Sequence, residues 1–268
     1  MNCKKDEDLL NVPTAQYAHF SVDDVISALQ DVSNENYESI FDHPFFSVWK
    51  GLHDNYGATV TFNLFYSKQG FDLSQMTEKF KAQFMENSYW LKFSFHAGDV
   101  NENYNSSENN ANAIIHYNNT YSQIIRFAGQ ESLETFCRLH FFSGNKDLFI
   151  SLKQTVYGLN GIHTADDFRE LNSGLTQQEL DSINKHNKYY DAINKLYYIR
   201  SERRLDRETI TEVTQSFQDN ISSTSDSKIY NYFLHEATAV NQSPVLDSLC
   251  KLIVAEGIKF DFPSNNIP

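Results

Sequence analysis

Short apolar runs rich in β-branched and aromatic residues alternate with segments of helical spacing along most of this chain. That alternation narrows the fold more than any other feature. The runs are "AHFSV" (18–22), "ATVTFNLFY" (58–66), "LKFSFHA" (91–97), "RLHFFSGN" (138–145, a strand and turn), "NGIHTADD" (160–167), "KIYNYFLHEA" (228–237) and "IKFDF" (258–262). Helices fill the gaps. The first follows residue 22 directly, with Asp23 or Asp24 able to cap it. Residues 45–57 place Phe46, Trp49, Leu52 and His53 on one face and end at Gly57. Further helices are expected at 73–90 from an N-cap Ser74, at 113–129 up to Gly129, and at 146–158 up to Gly158. Two more follow at 206–220 from an N-cap Asp206 and at 243–257, opened by Ser243-Pro244 and closed by Gly257. Only 168–206 breaks the rhythm and reads as an insertion of a helix and a hairpin. Strands separated by helices imply an α/β fold with a mainly parallel sheet. About seven such units in 268 residues suit one barrel domain spanning 1–268 better than an open sheet.

Composition excludes several functions. The net charge of −13 opposes phosphate backbones, so no nucleic acid partner is expected. No P-loop, GxGxxG or heptad array occurs, and no run approaches a membrane span. Cys3, Cys137 and Cys250 are too far apart for a zinc knuckle or a disulfide framework; the last two lie in apolar runs and read as buried thiols. "MNCKKDEDLLNVP" lacks a signal-peptide apolar region, which points to the cytoplasm for the chain as it stands. Cys3 followed by charges is also the start of a lipid-anchored mature protein, so a secreted or anchored location follows if a signal has been removed. The 14% of aromatic residues suits both a filled core and sugar-stacking surfaces.

In parallel α/β folds the site lies beyond the carboxyl ends of the strands. Four expected strand ends carry Asp or His: Asp23–Asp24, His96, Asp166–Asp167 and His235. A divalent cation takes two or three such ligands and acidifies water, a nearby carboxylate accepts the proton, and an opposed imidazole protonates a leaving group. Asp23 and Asp24 would divide that work, one as base and one as ligand, with their repulsion relieved by the cation.

The same segments, in order, resemble those of the polysaccharide deacetylase (NodB-homology, carbohydrate esterase family four) superfamily. The fold this implies is a distorted seven-fold (β/α) barrel. "FSVDD" (20–24) resembles its TFDDG-type run, making Asp23 the base and Asp24 a metal ligand. "GATVTFNLF" (57–65) is similar to its next strand. "FSFHAGD" (93–99) stands where H-[ST]-x-x-H sits, making His96 a ligand. "RLHF" (138–141) resembles R-x-P-Y: Arg138 would orient Asp23 and, with His140 and Phe141, line the substrate groove. "TADD" (164–167) falls where an acidic motif pairs with that arginine, placing Asp167 against substrate. "YFLHE" (232–236) resembles L-x-x-H, making His235 the general acid. Val25 replaces the usual Gly, Val100 stands where the second histidine belongs, and His140 replaces Pro. Asp99, one residue short of that histidine, is the expected third ligand. These departures mark a divergent bacterial branch.

The resemblance implies a hydrolase that removes an acyl group, such as acetyl, from a carbohydrate with a divalent metal, zinc being the expected ion. Two rivals stand beside it. One is an inactive carbohydrate-binding protein on the same barrel, motivated by the missing histidine. The other is a metal-independent glycoside hydrolase using Asp23 and Asp167, whose carboxyls would then lie roughly 5–10 Å apart. His19, His53, His163 and His186 read as structural or surface groups. His43 is a weaker candidate for substrate contact, as is His116 for the third ligand. "RSERRLDRE" (200–208) reads as a solvated face of mixed charge.

Overall fold

The computed structural model describes residues 16–165, 174–222 and 229–267. Along the chain run β1 (Tyr17–Val25), α1 (Ser27–Asn34), α2 (Pro44–Tyr56), β2 (Val60–Phe65), a two-rung hairpin of β3 (Ser67–Lys68) and β4 (Phe71–Asp72), α3 (Lys81–Glu86) and β5 (Leu91–Ala97). Next come α4 (Asn110–Ala128), β6 (Phe136–Cys137), α5 (Lys146–Lys153), β7 (Gly161–Thr164), α6 (Gln177–His186), β8 (Lys188–Asp191), β9 (Leu196–Arg200) and β10 (Arg203–Arg204). The chain closes with α7 (Ile210–Ser222), β11 (Ile229–His235), α8 (Glu236–Ala239), α9 (Ser243–Ala255) and β12 (Lys259–Phe260).

One sheet has the order β10-β11-β1-β2-β5, with β12 also paired to β1; a second has the order β6-β7-β9-β8. Every pairing in the first sheet is parallel, as are β6 with β7 and β7 with β9. The sheets meet at two seams. A parallel bridge joins Phe93 to Leu133 just before β6, and the chain leaving β9 passes directly into β10. This mixed α/β arrangement is compatible with the expected distorted seven-fold barrel, its ladder interrupted at those seams.

The central strands are buried on both faces, so they read as continuous apolar runs rather than as an alternation. Phe62 on β2 shows how the helices seat. Its ring lies 4.9 Å from Phe45, 5.9 Å from Phe46 and 6.1 Å from Trp49, all on α2, and 5.8 Å from Phe93 on β5. Truncating so enclosed a ring costs about 3–5 kcal/mol. Cys137 and Cys250 are buried free thiols, as their apolar surroundings suggest. No described helix is long and apolar enough to cross a membrane. Cys3 lies outside the described residues.

Several local expectations are corrected. Residues 73–90 are not one helix. Asp72, not Ser74, caps a short 3-10 turn at Leu73–Gln75, and α3 covers only Lys81–Glu86. The strand expected at 138–145 is the two-residue β6, followed by a tight turn in which Phe141 and Phe142 have φ of 59° and 52°. Residues 168–206 do supply a helix and a hairpin, yet β9 of that hairpin pairs with β7 and belongs to the central strands. Asp206 does not cap α7; Thr209 and Glu212 bond reciprocally at that end.

Candidate active site

β1 and β11 run in register, so Asp23 stands opposite His235 at their carboxyl ends. The ladder between β1 and β2 slips between Val22 and Val25, and there Asp24 adopts φ of 64°. A non-glycine residue held so costs about 1–3 kcal/mol and persists only where its surroundings impose it. Neither Asp caps α1. Glu236, next after His235, accepts the N–H groups of Ile26, Ser27 and Ala28 at 3.3, 3.1 and 2.7 Å. The turn carrying the acid pair is thus fastened from the far end of the sequence.

Asp23 is buried, and its Oδ1 accepts from Arg138 Nη1 at 3.0 Å and from Asn63 Nδ2 at 2.8 Å. Arg138 is itself 1% exposed. It also donates to Ser21 Oγ at 2.7 Å and Ser201 Oγ at 2.9 Å, and stacks at 4.2 Å over Phe233. Both bonds to Asp23 land on one oxygen, leaving Oδ2 as the atom able to take a proton.

Beside it, Asp24, His96 and His140 bring one ligand atom each within 4.8 Å of one another. His96 Nε2 lies 3.1 Å and His140 Nε2 3.9 Å from Asp24 Oδ1. Each imidazole is oriented from behind. His96 Nδ1 donates to the Arg138 carbonyl at 2.5 Å, and His140 Nδ1 to the Glu102 carbonyl at 3.2 Å. Both Nε2 lone pairs are thereby freed for a cation, the arrangement metal-binding histidines use. Buried Asp24 Oδ1 and His96 Nε2 complete no directed hydrogen bond. That is costly without a shared partner, so the donor set fits a divalent metal. Burial raises the Asp24 pKa, but the neighbouring imidazoles, His96 first and then His235 and His140, outweigh it and favour the ionised carboxylate. Burial lowers that of His140 and favours its neutral, ligating form.

Asp99 is not part of this cluster. It lies in the loop after β5, where its carboxylate accepts the Asn101 N–H at 2.6 Å, and His140 occupies the third position. The loop folds tightly back. A side chain at Gly98 would stand 2.2 Å from His116 Nδ1, and His116 pairs with Glu102 at 3.0 Å rather than joining the cluster. His43 caps α2 through Phe45 N–H. His19 and His163 stack inside the fold 5.9 Å apart, and burial drives His19 down to about 3. Asp166 and Asp167 lie outside the described residues.

His235 completes the site. Its Nδ1 donates to Asp206 at 2.6 Å, and its backbone N–H reaches the same carboxylate at 2.8 Å. Thr238 Oγ1 adds a bond of 2.6 Å to Asp206, and Arg204 pairs with that acid. Burial lowers the His235 pKa, but the Asp206 hydrogen bond and the charges of Asp23, Asp206 and Asp24 outweigh it and raise it. Burial works against the Asp206 charge as well, yet the bonds from His235 and Thr238 prevail and hold that carboxyl far below its ordinary range. Asp23, Asp24, His96, Arg138, His140, Phe141 and His235 all line one cavity of about 440 Å³. Phe141 is 63% exposed at its edge, stacked 3.8 Å from His140.

Sequence reasoning missed Asp206, Asn63, Ser201 and Glu236. Asn63 left a signal, since an amide in the buried strand "VTFNLF" must find a partner. Asp206 was legible only as a helix cap.

No protein-family model matches the sequence, and no curated protein sequence does either. Solved structures share its fold. A protein from Mycobacterium smegmatis described as a polysaccharide deacetylase aligns with a TM-score of 0.62 at 10% identity, over 96% of this chain and 89% of that one. A family 4 acetyl xylan esterase from Clostridium thermocellum, in complex with a cobalt ion, aligns with a TM-score of 0.52 at 12% identity, over 94% and 93%. The fold of this chain is that of these carbohydrate deacetylases and esterases.

Proposed function

We propose that this chain is a divergent member of the polysaccharide deacetylase superfamily and a hydrolase that removes an acyl group from a carbohydrate. The observation that carries the reading is the meeting of an Asp-His-His donor set, an arginine-held carboxylate and a carboxylate-held imidazole around one cavity. Asp24, His96 and His140 would hold a divalent cation, zinc being the expected ion. Bound there, the cation supplies Lewis acidity to water and to the acyl oxygen.

The chain's own residues do the rest. Asp23 takes the proton of the attacking water on Oδ2, while Arg138 and Asn63 fix its other oxygen. His235, protonated and held by Asp206 through Nδ1, presents Nε2 to the departing amine or alcohol. The Phe141 ring offers an apolar face to the sugar.

The inactive-protein reading rested on the missing motif histidine, and His140 supplies an imidazole in its stead. Two assays test the proposal: acetate release from acetylated chitin and xylan oligomers, and metal content by plasma mass spectrometry beside Asp24→Ala. Near one equivalent of metal, lost in that variant, together with acetate release abolished in Asp23→Asn, is the expected result. Turnover surviving in Asp23→Asn sinks the assignment.

A further inference from the structure

Four of the chain's seven arginines fall between residues 200 and 207. The segment read as a solvated face instead borders the catalytic cavity. Arg204 and Arg207 line it together with Asp23, Asp24 and His235. A neighbouring hollow of about 470 Å³ shares Arg204, Asp206 and Arg207 with that cavity and continues along Glu202, Arg203 and Glu208. A third hollow of about 260 Å³ shares a different part of the cavity lining, Asp24 and Ala237, and extends to Asp31, His43 and Lys68. The cavity that holds the catalytic groups thus adjoins two further hollows, together roomy enough for more than one sugar.

Most of the arginines along this cleft have an acidic partner. Arg138 is neutralised by Asp23, Arg204 by Asp206, and Arg203 by Glu208 at 2.7 Å. Asp24 belongs to the cation cluster. Arg207 pairs with no acid among the described residues. It is exposed, it faces both hollows, and it does so in a chain of net charge −13. A guanidinium with no acidic partner among the described residues, beside a reaction site, presents a fixed fork of donors suited to a planar oxyanion. Its single charge matches a monoanion such as a carboxylate better than a phosphate.

We propose that Arg207, with Arg204 beside it, forms a subsite for the carboxylate of a uronic acid adjoining the acylated sugar, so that the substrate is an acidic saccharide. The proposal rests on the hydrolase reading above. The sugar in the central cavity presents its acyl group to Asp23 and His235, and its acidic neighbour occupies the hollow bordered by Glu202 and Glu208.

The test compares two tetrasaccharides on the full-length, metal-loaded protein. One alternates N-acetylglucosamine with glucuronate; the other is neutral N-acetylchitotetraose. Acetate release gives kcat/KM, and titration calorimetry on the same pair gives binding. The expected result is a preference of about tenfold or more for the acidic oligomer, carried by KM, since a charge-assisted contact is lost on the neutral one. That preference should collapse in Arg207→Gln, survive in part in Arg207→Lys, and shrink with added salt. Equal kcat/KM for both oligomers, or a preference that persists in Arg207→Gln, overturns the subsite. If neither oligomer releases acetate, calorimetry decides. Tighter binding of the acidic oligomer, lost in Arg207→Gln, upholds the subsite while the hydrolase reading fails; equal or absent binding overturns the subsite.

Discussion

The Glu236 carboxylate accepts the Ala28 backbone N–H at 2.7 Å across 208 residues of sequence, and with the Ile26 and Ser27 bonds it fixes the turn on which Asp24 sits. Glu236→Ala leaves three N–H groups at a helix start without their acceptor. The loss of stability should be about 1–2 kcal/mol, the range for a lost cap. Because Asp24 rides on that turn, zinc affinity should fall roughly tenfold or more, as when partners behind metal ligands are removed. Glu236→Gln keeps one acceptor oxygen and should retain most of both. Chelator competition and thermal melts read the two effects. Unchanged zinc affinity in Glu236→Ala would reduce the residue to a helix fastener.

In the proposed mechanism, Asp206 and His235 would make the reaction pH-dependent. Asp206 raises the His235 pKa, so the proposed proton donor keeps its charge to higher pH. Asp206→Asn removes that support, the His235 pKa drops, and the alkaline limb of kcat/KM should move to lower pH. The same pair contributes stability. The raised His235 contributes fully below its unfolded pKa, about 6.5, and the lowered Asp206 contributes fully above its own, about 3.9. The stability difference between wild type and Asp206→Asn should therefore be largest between about pH 4 and 6.5, shrinking as pH rises through the folded His235 pKa. Urea melts at several pH values check this; a flat difference would mean the pair is not coupled.

The strand ends were legible because a strand that must be buried on both faces is an apolar run, and the first acid or imidazole after it stands out. Asp23, His96 and His235 were visible in that way. His140 and Asp99 show where such reading stops. Spacing within a motif favoured Asp99, but the loop after β5 turns its carboxylate to its own backbone, while the left-handed turn at Phe141 and Phe142 shapes the segment carrying His140. Neither event has a sequence signature. Asp206 and Glu236 were hidden for a related reason: both are polar groups beside helix starts, and only tertiary pairing shows that one holds His235 and the other caps a helix from a distant strand end. The contribution of β9 to the central strands was masked by its hairpin partner.

The third ligand can be decided by substitution. Asp24→Ala and His140→Ala should each lose most of the bound metal, since each leaves the cation only two protein ligands. Asp99→Asn should keep near one equivalent. Plasma mass spectrometry on protein purified without chelator reads all three. Full metal in His140→Ala with none in Asp99→Asn would restore the carboxylate as ligand and require the loop to rearrange on binding.

Arg138 and Asp23 form a buried ion pair whose value lies in orientation as much as in stability. Removing one member strands the other in a dry interior, so Arg138→Met should cost about 3–5 kcal/mol. Adding Asp23→Asn to that variant replaces the stranded charge with an amide that Asn63 can still reach, and should recover part of the loss. Arg138→Lys keeps the charge but cannot span Asp23, Ser21 and Ser201 at once, since an ammonium lacks the guanidinium fork. It should fold with smaller loss yet fall sharply in kcat, with KM little altered, because Asp23 is held less firmly. Thermal melts of the three variants and steady-state kinetics of Arg138→Lys carry the test. Additive losses in the double variant, or full kcat in Arg138→Lys, would show that the arginine neither balances nor aims the carboxylate.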